Sequence, residues 1–333
     1  MVSYSEKENK MNNDIVSVVV LTYKHGALLL ETLDSVFLQD HPQIELIVAE
    51  DGAKNFDREA LEQYVAKHAG ANIVSTQILV NEINIGTVKN INCAIARANG
   101  AYVKIIAGDD TYPHKSVFSQ QVAYLKEHED TQLVVGNIVE CDSEMHPFEV
   151  KGFAPDQKEN LLDAPRAKLL KELCRKSPHL LATQSLCFKK AFFEQHGVYD
   201  ERFRLIEDLP MAVRIVTKNH QIGYVDMPCV NHRGSVGVST SNNAFDARKL
   251  AYYTDLKNYF VNCLFPVKKT VGRLFVNMRY RLMCFRIERC KPENQTKKKK
   301  ILLSLRYMFP IIYYTLTNFG RIKFYFSKGK SKT

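Results

Sequence analysis

Two pairs of adjacent acidic residues are the first features of the sequence that could do chemistry. Asp109 and Asp110 follow the apolar run AYVKIIA, residues 101–107. Neighbouring carboxylates repel each other and are costly to bury unless a cation neutralises them. Oxygen ligands of this kind suit Mg²⁺ or Mn²⁺, and Mg²⁺ commonly binds one or two carboxylates together with substrate phosphates. The pair could also form a solvated turn, or cap the helix after Pro113, and a bare Gly-Asp-Asp leaves these interpretations open.

The second acidic pair is Glu207-Asp208, which opens an apparent helix in RLIEDLPMAVRI. Carboxylates at a helix start stabilise its dipole, but one of them could instead be a general base that deprotonates an acceptor hydroxyl. Downstream, His232 and Arg233 lead into a polar stretch, 235–241, and together these residues could form a loop that closes over phosphates. His232 could also complete a metal site, although a lone His is more often structural or solvated.

A third acidic segment, Glu50-Asp51-Gly52, ends an apolar run. Asp51 could accept a hydrogen bond from the N–H of a nucleotide base, and Gly52 would let the backbone turn beneath that base. The alternative is a plain turn at the end of a strand, for which Asp-Gly is common.

Asn84-Ile85-Gly86 precedes a helical stretch with Lys89 in its first turn. A helix N-terminus favours phosphate, and glycine permits close backbone approach, so this segment could border a phosphorylated ligand. An ordinary Asn/Gly helix start remains the alternative. No GK[ST] follows and no G-x-G-x-x-G is present, so neither a Walker A loop nor a dinucleotide-binding dehydrogenase is indicated.

These residues are separated by apolar runs that alternate between strand and helix character. Strands are expected at 15–22, 44–50, 71–81 and 101–107, and helices at 26–39, 57–69 and 86–99. Such alternation predicts an α/β fold with a mainly parallel sheet, and continuous apolar strands indicate burial on both faces. Ligands bind beyond the carboxyl ends of such strands, so Thr22-Tyr23, Glu50-Asp51, 81–86 and Asp109-Asp110 should converge at one edge.

The pattern is weaker beyond residue 113. We expect a helix at 114–128, a strand at 132–140 and a polar insertion up to about residue 165. A strand at 180–190, a short helix and a helical region at 243–263 follow.

Composition places the chain among globular proteins. Its 333 residues are 45% hydrophobic and 25% charged, enough for one large α/β domain with an appendage or for two domains. The eight cysteines form no C-x-x-C pair or Cys/His cluster, which argues against a zinc or redox centre. Residues 1–14 are polar, lack an apolar signal segment and are expected to be a disordered tail, so we expect reduced thiols in a cytoplasmic protein.

The positive charge lies at the end of the chain. From residue 264 onward there are 18 Lys and Arg against two Glu, although the whole chain carries only +10. Basic and apolar residues interleave there, and the apolar run 301–320 is interrupted by Arg306 and Pro310. This pattern favours a segment that lies on an anionic membrane surface over one that spans it, with a small solvated helical subdomain as the alternative. No nucleic-acid-binding motif is evident, so nucleic acid is not an expected partner.

Four stretches in this order resemble the family 2 inverting glycosyltransferases with a GT-A fold, of the type that builds bacterial surface polysaccharides. They are VSVVVLTYKHGALLLETLDSVFLQ, IELIVAEDGA, INIGTVKNINCAIARANGAYVKIIAGDD and GVYDERFRLIEDLPMAVRI. The resemblance covers roughly residues 15–240. It implies a GT-A domain there, with a nucleotide-binding half at 15–112 and an acceptor half at 113–240, followed by a basic helical region at 241–333.

The resemblance also assigns roles to individual residues. The nucleotide-sugar site would comprise Thr22, Tyr23, Glu50, Asp51, Asn84, Gly86, Lys89, Asp109, His232 and Arg233. Asp109 and Asp110 would hold Mg²⁺ or Mn²⁺, and Asp208 would be the catalytic base with Glu207 beside it. Two positions depart from the usual family pattern: Ala107 replaces the first Asp of Leu-Asp-x-Asp-Asp, and Lys89 stands where Arg is commoner.

The activity that the resemblance implies is metal-assisted transfer, with inversion, from a nucleotide-diphosphate sugar, by default a UDP-sugar. The acceptor would be a hydroxyl of a lipid-linked oligosaccharide or polysaccharide, at the inner face of the cytoplasmic membrane. One alternative is a sugar nucleotidyltransferase of similar fold, but the segment after the first strand, TYKHG, is poor in glycine. The other is a non-catalytic basic peripheral membrane protein, for which clustered carboxylates would have no purpose.

Overall fold

The structure, a computed structural model, describes residues 14–152, 165–175, 178–234 and 247–317. The chain divides into two compact units, with the division between Thr240 and Ser241. All but the last residue of the expected tail 1–14, and the polar stretch 235–241, lie outside the described residues.

The first unit contains one mixed sheet of eight strands. In chain order the strands are β1 Val16–Thr22, β2 Ile44–Glu50, β3 Ile73–Val80, β4 Tyr102–Ala107, β5 Leu133–Cys141, β6 Pro147–Lys151, β7 Leu186–Lys189 and β8 Ile222–Arg233. Its α-helices are α1 Ala27–Phe37, α2 Arg58–His68, α3 Thr87–Ile95, α4 Val117–Glu127, α5 Arg166–Arg175, α6 Lys190–His196 and α7 Asp208–Thr217.

The strand order is β3-β2-β1-β4-β7-β5-β6, and β8 pairs with β5. Strands β1 to β4 are parallel to one another, and β5 is parallel to β8. Strand β7 is antiparallel to both β4 and β5, and β6 is antiparallel to β5. This arrangement confirms the predicted α/β class with a mainly parallel sheet flanked by helices. Every residue of β2 is buried, as is every residue of β1 except Leu21, as expected for apolar strands covered on both faces.

Three local expectations were wrong. Residues 180–190 were expected to form one strand, but Thr183–Ser185 is a 3-10 turn and only Leu186–Lys189 pairs in the sheet. The region expected to be a polar insertion contains strand β6, whose side chains are almost all exposed and so have no buried apolar pattern. His232 and Arg233 were expected in a loop, but they end β8, where they pair with Glu140 and Cys141 of β5.

The topology brings five strand ends to one edge. Strands β1, β2 and β4 run parallel, so Thr22, Glu50 and Ala107 end side by side. The parallel pair β5 and β8 ends at the same region, because Thr111, just after β4, forms a bridge with Asn231. The carboxyl edge of the sheet therefore collects most of the polar residues that the sequence singled out.

A fully buried lysine lies inside this sheet. Lys104 of β4 has no exposed surface, and its ammonium group donates hydrogen bonds to the Gln121 side chain at 2.6 Å and the Leu186 carbonyl at 3.3 Å. The rings of Tyr112 and Phe118 lie 5.3 and 5.6 Å from it. Burial lowers the pKa of Lys104 from its ordinary value of 10.5, because the charged form loses its hydration.

We predict that Lys104→Met reduces the pH dependence of unfolding. Lys104 binds its proton more tightly in the unfolded than in the folded protein. The free energy of unfolding of wild type therefore rises with pH up to the ordinary lysine pKa. The slope from this group is at most about 1.4 kcal/mol per pH unit. Urea denaturation between about pH 7 and pH 10 should therefore show that the free energy of unfolding of wild type rises relative to that of the variant as the pH rises. The exposed Lys115→Met is the control, and equal slopes for all three proteins would contradict the prediction.

The second unit is helical, which confirms the helical character expected of the C-terminal region. Its α-helices are α8 Ala247–Tyr259, α9 Lys268–Val271, α10 Arg273–Cys290, α11 Lys297–Arg306 and α12 Met308–Thr317. A π-helical segment, Phe260–Leu264, continues α8. Across the described ranges, no helix combines the length and apolar character required to cross a bilayer.

Candidate active site

The turn after β2 is built around the carboxylate of Glu50. This buried side chain folds back and accepts hydrogen bonds from the backbone N–H groups of Gly52 and Ala53, both at 2.8 Å. Burial raises the pKa of Glu50, and these two donors partly offset the effect. Glu50 therefore shapes the turn that places Asp51. The neighbouring Thr22 is buried and its carbonyl accepts from the Asp51 N–H, whereas Tyr23 is half-buried.

Asp51 holds the segment that leads into α3. Its two carboxylate oxygens accept from the backbone N–H groups of Ile85, at 2.8 Å, and Gly86, at 2.9 Å. Asn81 adds a longer contact of 3.2 Å to the same carboxylate. The sequence analysis expected the start of α3 to offer its N–H groups to phosphate. Asp51 already occupies two of these donors, because a carboxylate suits the positive end of a helix as well as a phosphate does.

Two glycines make this contact possible. Gly52 has φ +76°, and a Cβ there would lie 2.3 Å from the carbonyl carbon of Ile83. Gly86 has φ +95°, and a Cβ there would lie 2.6 Å from the side chain of Arg204. Only glycine adopts both the backbone angle and the close approach without strain.

Arg204 is a site residue that sequence reasoning missed. Its guanidinium donates to the side-chain oxygen of Asn84 at 2.7 Å and to the Asn84 carbonyl at 2.9 Å. Its own carbonyl accepts from the N–H of Val88 in α3. Arg204 is exposed, as is Lys89, so the start of α3 carries two solvent-facing cations. No local pattern marks Arg204, since its partners lie about 120 residues away in the chain.

The pair after β4 is buried, as a functional pair of carboxylates would be. Asp109 and Asp110 are 8% and 2% exposed. Asp110 accepts from the backbone N–H of Arg233 at 2.9 Å, and burial raises its pKa to about 7. Asp109 lies 4.0 Å from His25, whose pKa is lowered by burial although Asp109 opposes this. The Nδ1 atom of His25 is buried and has no hydrogen-bond partner in the described part of the chain.

His232 lies beside the Asp109-Asp110 pair and interacts with a further carboxylate. Its Nδ1 atom is 2.9 Å from Glu140 of β5, which also accepts from Lys151 at 2.6 Å. The hydrogen bond with Glu140 raises the pKa of His232 to about 9, and Asp110 and Asp109 add to the shift. Burial opposes ionisation of Glu140, but the contacts from His232 and Lys151 outweigh it and lower its pKa to about 2. The pair is therefore an ion pair at neutral pH.

Arg233 lies mostly inside the protein. Its guanidinium donates to the carbonyls of Asp109, at 2.9 Å, and Ser143, at 2.6 Å, and it forms an ion pair with Glu31 of α1. Only 4% of the residue is exposed. The sequence analysis expected Arg233 to face the donor phosphates, but its nitrogens instead tie the loop after β4 to β8 and α1.

The second acidic pair begins α7. The carboxylate of Asp208 accepts from the N–H of Leu209 at 2.7 Å. Glu207 is partly buried, and burial together with the neighbouring Asp208 raises its pKa to about 8. Glu207 therefore retains its proton near neutral pH. Thr183 and Tyr199 are buried, and neither hydroxyl has a hydrogen-bond partner within the described residues. Sequence reasoning singled out neither residue.

The segment before α7 is connected to α3. Asn92 donates to the carbonyl of Tyr199 at 2.9 Å and to the side chain of Glu201 at 3.0 Å, and it accepts from the N–H of Tyr199. Arg204 adds its contacts to Asn84. The acidic pair at 207–208 is thus fixed against the helix whose start Asp51 holds.

Comparison with known proteins establishes the family of the chain. The sequence profile described as Glycosyl transferase family 2 matches residues 17–193, more than half of the chain. The chain belongs to this family, and the predicted glycosyltransferase class is confirmed. The family assignment favours that class over the nucleotidyltransferase considered as an alternative.

Two bacterial glycosyltransferases are similar to most of this chain. The uncharacterized glycosyltransferase EpsJ of Bacillus subtilis is 24% identical over 219 residues, which are 64% of this chain and 59% of EpsJ. A PGL/p-HBAD biosynthesis glycosyltransferase of Mycobacterium bovis is 21% identical over 60% of this chain and 68% of its own length. The matched region thus spans between about three fifths and two thirds of these two relatives.

Two solved structures share the fold. TarS of S. aureus, in complex with UDP-GlcNAc, has a TM-score of 0.55 at 15% identity and covers 89% of this chain and 81% of its own. The mannosyltransferase PcManGT of Pyrobaculum calidifontis, in complex with GDP-Man and Mn²⁺, has a TM-score of 0.55 at 17% identity and covers 91% and 83%. Both likenesses support the GT-A architecture.

We predict that Glu140→Gln lowers the pKa of His232. The carboxylate is the largest cause of the raised value, so an amide in its place should move the pKa from about 9 towards the ordinary 6.5. NMR titration of the histidine side chains in metal-free protein measures this directly. Glu149→Gln, on the neighbouring strand and exposed, is the control. A value that stays near 9 in Glu140→Gln would show that the Asp109-Asp110 pair, and not Glu140, sets the charge of His232.

Proposed function

We propose that this chain transfers a sugar from a nucleotide-diphosphate sugar to a hydroxyl of a lipid-linked or polysaccharide acceptor, with inversion. The observation that carries the proposal is the placement of the buried Asp109-Asp110 pair at the carboxyl edge of a family 2 fold. TarS and PcManGT were solved with UDP-GlcNAc and GDP-Man, which supports a nucleotide sugar as the donor class. By resemblance, the default donor is a UDP-sugar.

The nucleotide would lie over the ends of β1 and β2, near Thr22, Tyr23 and Asp51. Because Asp51 occupies two backbone donors at the start of α3, the diphosphate would depend more on side-chain cations than on the helix terminus. Lys89 and Arg204 are exposed near that start and can supply this charge.

Mg²⁺ or Mn²⁺ fits the donor set of Asp109 and Asp110, both of which offer hard carboxylate oxygens. In the described ranges, no three His, Cys, Asp or Glu side chains form a ready-made metal cluster. A cation held by two carboxylates and the donor diphosphate needs no third protein ligand. When bound, it would neutralise the charge that develops on the leaving diphosphate. One oxygen of Asp110 accepts from Arg233, which leaves the other for the cation.

Asp208 would act as the general base. Because Glu207 holds its proton to about pH 8, it is the weaker candidate for the base, and that role falls to Asp208. It would accept the proton of the acceptor hydroxyl as that oxygen bonds to the anomeric carbon. The bond from this carbon to the phosphate oxygen breaks on the opposite face, and the nucleoside diphosphate leaves with its electron pair. Configuration at the carbon is inverted in this single displacement.

The protein would work at the inner face of the cytoplasmic membrane as a peripheral protein. The basic region after residue 264, with 18 Lys and Arg against two Glu, supports attraction to anionic headgroups. Such a location would place the site near a lipid-linked acceptor.

We predict that one nucleoside diphosphate stabilises the protein in a metal-dependent way. A ligand that binds only the folded state raises the melting temperature, and at a hundred times its Kd it adds about 2.7 kcal/mol. UDP, GDP, dTDP and CDP should be tested by thermal shift with and without Mn²⁺. The shift should disappear in Asp109→Ala and persist in the exposed Asp130→Ala. Folded protein that responds to none of the four would remove the support for a nucleotide-sugar site.

We predict that Asp208→Asn abolishes turnover, whereas Glu207→Gln retains most of it. Loss of a general base typically costs about 10²- to 10⁴-fold in rate. Glutamine imitates the protonated carboxyl that Glu207 already has below about pH 8, so it serves as the matched control. The assay follows diphosphate release from the sugar donor whose diphosphate gave the thermal shift, with water as acceptor. Nucleotide binding should remain in both variants, and a reversed order of the two rates would make Glu207 the base.

A further inference from the structure

The last two helices expose an unusual number of apolar side chains. Of the sixteen large hydrophobic residues that are exposed in the described parts of the chain, seven lie between residues 301 and 316. We name this set the α11–α12 face: Ile301, Leu302, Leu305, Met308, Phe309, Ile312 and Leu316. Their exposed fractions run from 43% to 73%. A concentration of this kind marks an interaction surface, because scattered single residues would be the ordinary case.

The two helices pack against α10 through other residues. The ring of Tyr307 lies 5.6 Å from that of Phe285, and the guanidinium of Arg279 lies 4.9 Å from the ring of Tyr314. Leu303 and Pro310 are buried. The contacts within this unit therefore use one side of α11 and α12, and the α11–α12 face remains on the other.

Four residues of the face, Ile301, Leu305, Met308 and Ile312, line a groove with a volume of about 690 Å³. Apolar and basic side chains share its lining, which also includes Ile311, Arg289, Lys297 and Lys300. Apolar side chains beside cationic ones are the two features that bind an amphipathic anion such as a phospholipid.

Four lysines stand where they destabilise the helix itself. Lys297 to Lys300 form the first turn of α11, and Thr296 is its N-cap. Positive charges at a helix N-terminus oppose the helix dipole, and neighbouring like charges repel one another. An anionic surface would remove both penalties. A second copy of the chain would not, because this region carries the same excess of basic residues in every copy.

We propose that the α11–α12 face is the membrane-docking surface of this protein and binds the surface of an anionic phospholipid bilayer. Its seven apolar side chains enter the boundary between headgroups and acyl chains, while Lys297 to Lys300 and Arg306 contact lipid phosphates. This inference rests on the peripheral membrane location in the proposed function and assigns it to particular residues.

The test uses the full-length protein and sedimentation with vesicles of phosphatidylcholine alone or with a quarter phosphatidylglycerol. Leu305→Glu/Phe309→Glu should weaken binding to the anionic vesicles by roughly tenfold or more. Replacement of all four residues from Lys297 to Lys300 by Gln should weaken it by roughly tenfold at low salt and flatten its salt dependence. The matched control is Leu38→Glu/Val150→Glu, at positions 73% and 61% exposed in the first unit, against 73% and 62% for Phe309 and Leu305.

The proposal is supported if both test variants lose binding to the anionic vesicles and the control variant binds them as well as wild type does. Wild-type binding that survives in either test variant overturns it and leaves membrane association to another surface. Absence of wild-type binding to anionic vesicles overturns both the surface and the membrane location. The thermal shift with nucleotide, measured on the same samples, shows that each variant is folded. It also tests the nucleotide-sugar site independently of membrane binding.

Discussion

The burial of Asp109 and Asp110 is the constraint on which the rest of the site depends. Two adjacent carboxylates at the end of a buried strand need partners, because their own repulsion and the loss of water both oppose ionisation. The structure supplies these partners from distant elements. Thr32 of α1 donates to the Asp110 carbonyl, the backbone of Arg233 donates to the Asp110 side chain, and Thr111 pairs with Asn231. The ends of β4 and β8 and the helix after β1 are thereby fixed around one acidic pair.

A second carboxylate does the same for the nucleotide side of the site. Asp51 holds the backbone at Ile85 and Gly86, and this contact requires the glycines at 52 and 86. The start of α3 is therefore neutralised by the protein itself. In the proposed function, phosphate recognition would therefore depend on exposed cations such as Lys89 and Arg204, and on a cation at the acidic pair. An anionic donor could bind beside two buried acidic clusters only if fixed donors or a cation compensate the charge of each cluster.

The sequence analysis predicted β1 to β4 and their helices well, because β1, β2 and β4 are runs buried on both faces and helical patterns separate the four strands. It failed where that signal is absent. Strand β6 exposes nearly all its side chains, and only the end of the run 180–190 pairs in the sheet. The acidic residues of the site were found because strand ends meet at one edge. Arg204 and Glu140 were missed because their roles come from pairings with residues 120 and 92 positions away, which no local pattern records.

The charges at the site are arranged so that one carboxyl is close to its titration point. Glu140 is ionised and forms an ion pair with His232. This ion pair partly compensates the positive charge that His232 presents to Asp110. The imidazolium attracts Asp110 and by itself would keep that carboxyl ionised. Instead burial prevails, and the pKa of Asp110 rises to about 7. A divalent cation at the pair would have to displace this proton, because only the ionised carboxylate is a good metal ligand. The strand pairing of β5 with β8 brings His232 and Arg233, with Glu140, to the acidic pair.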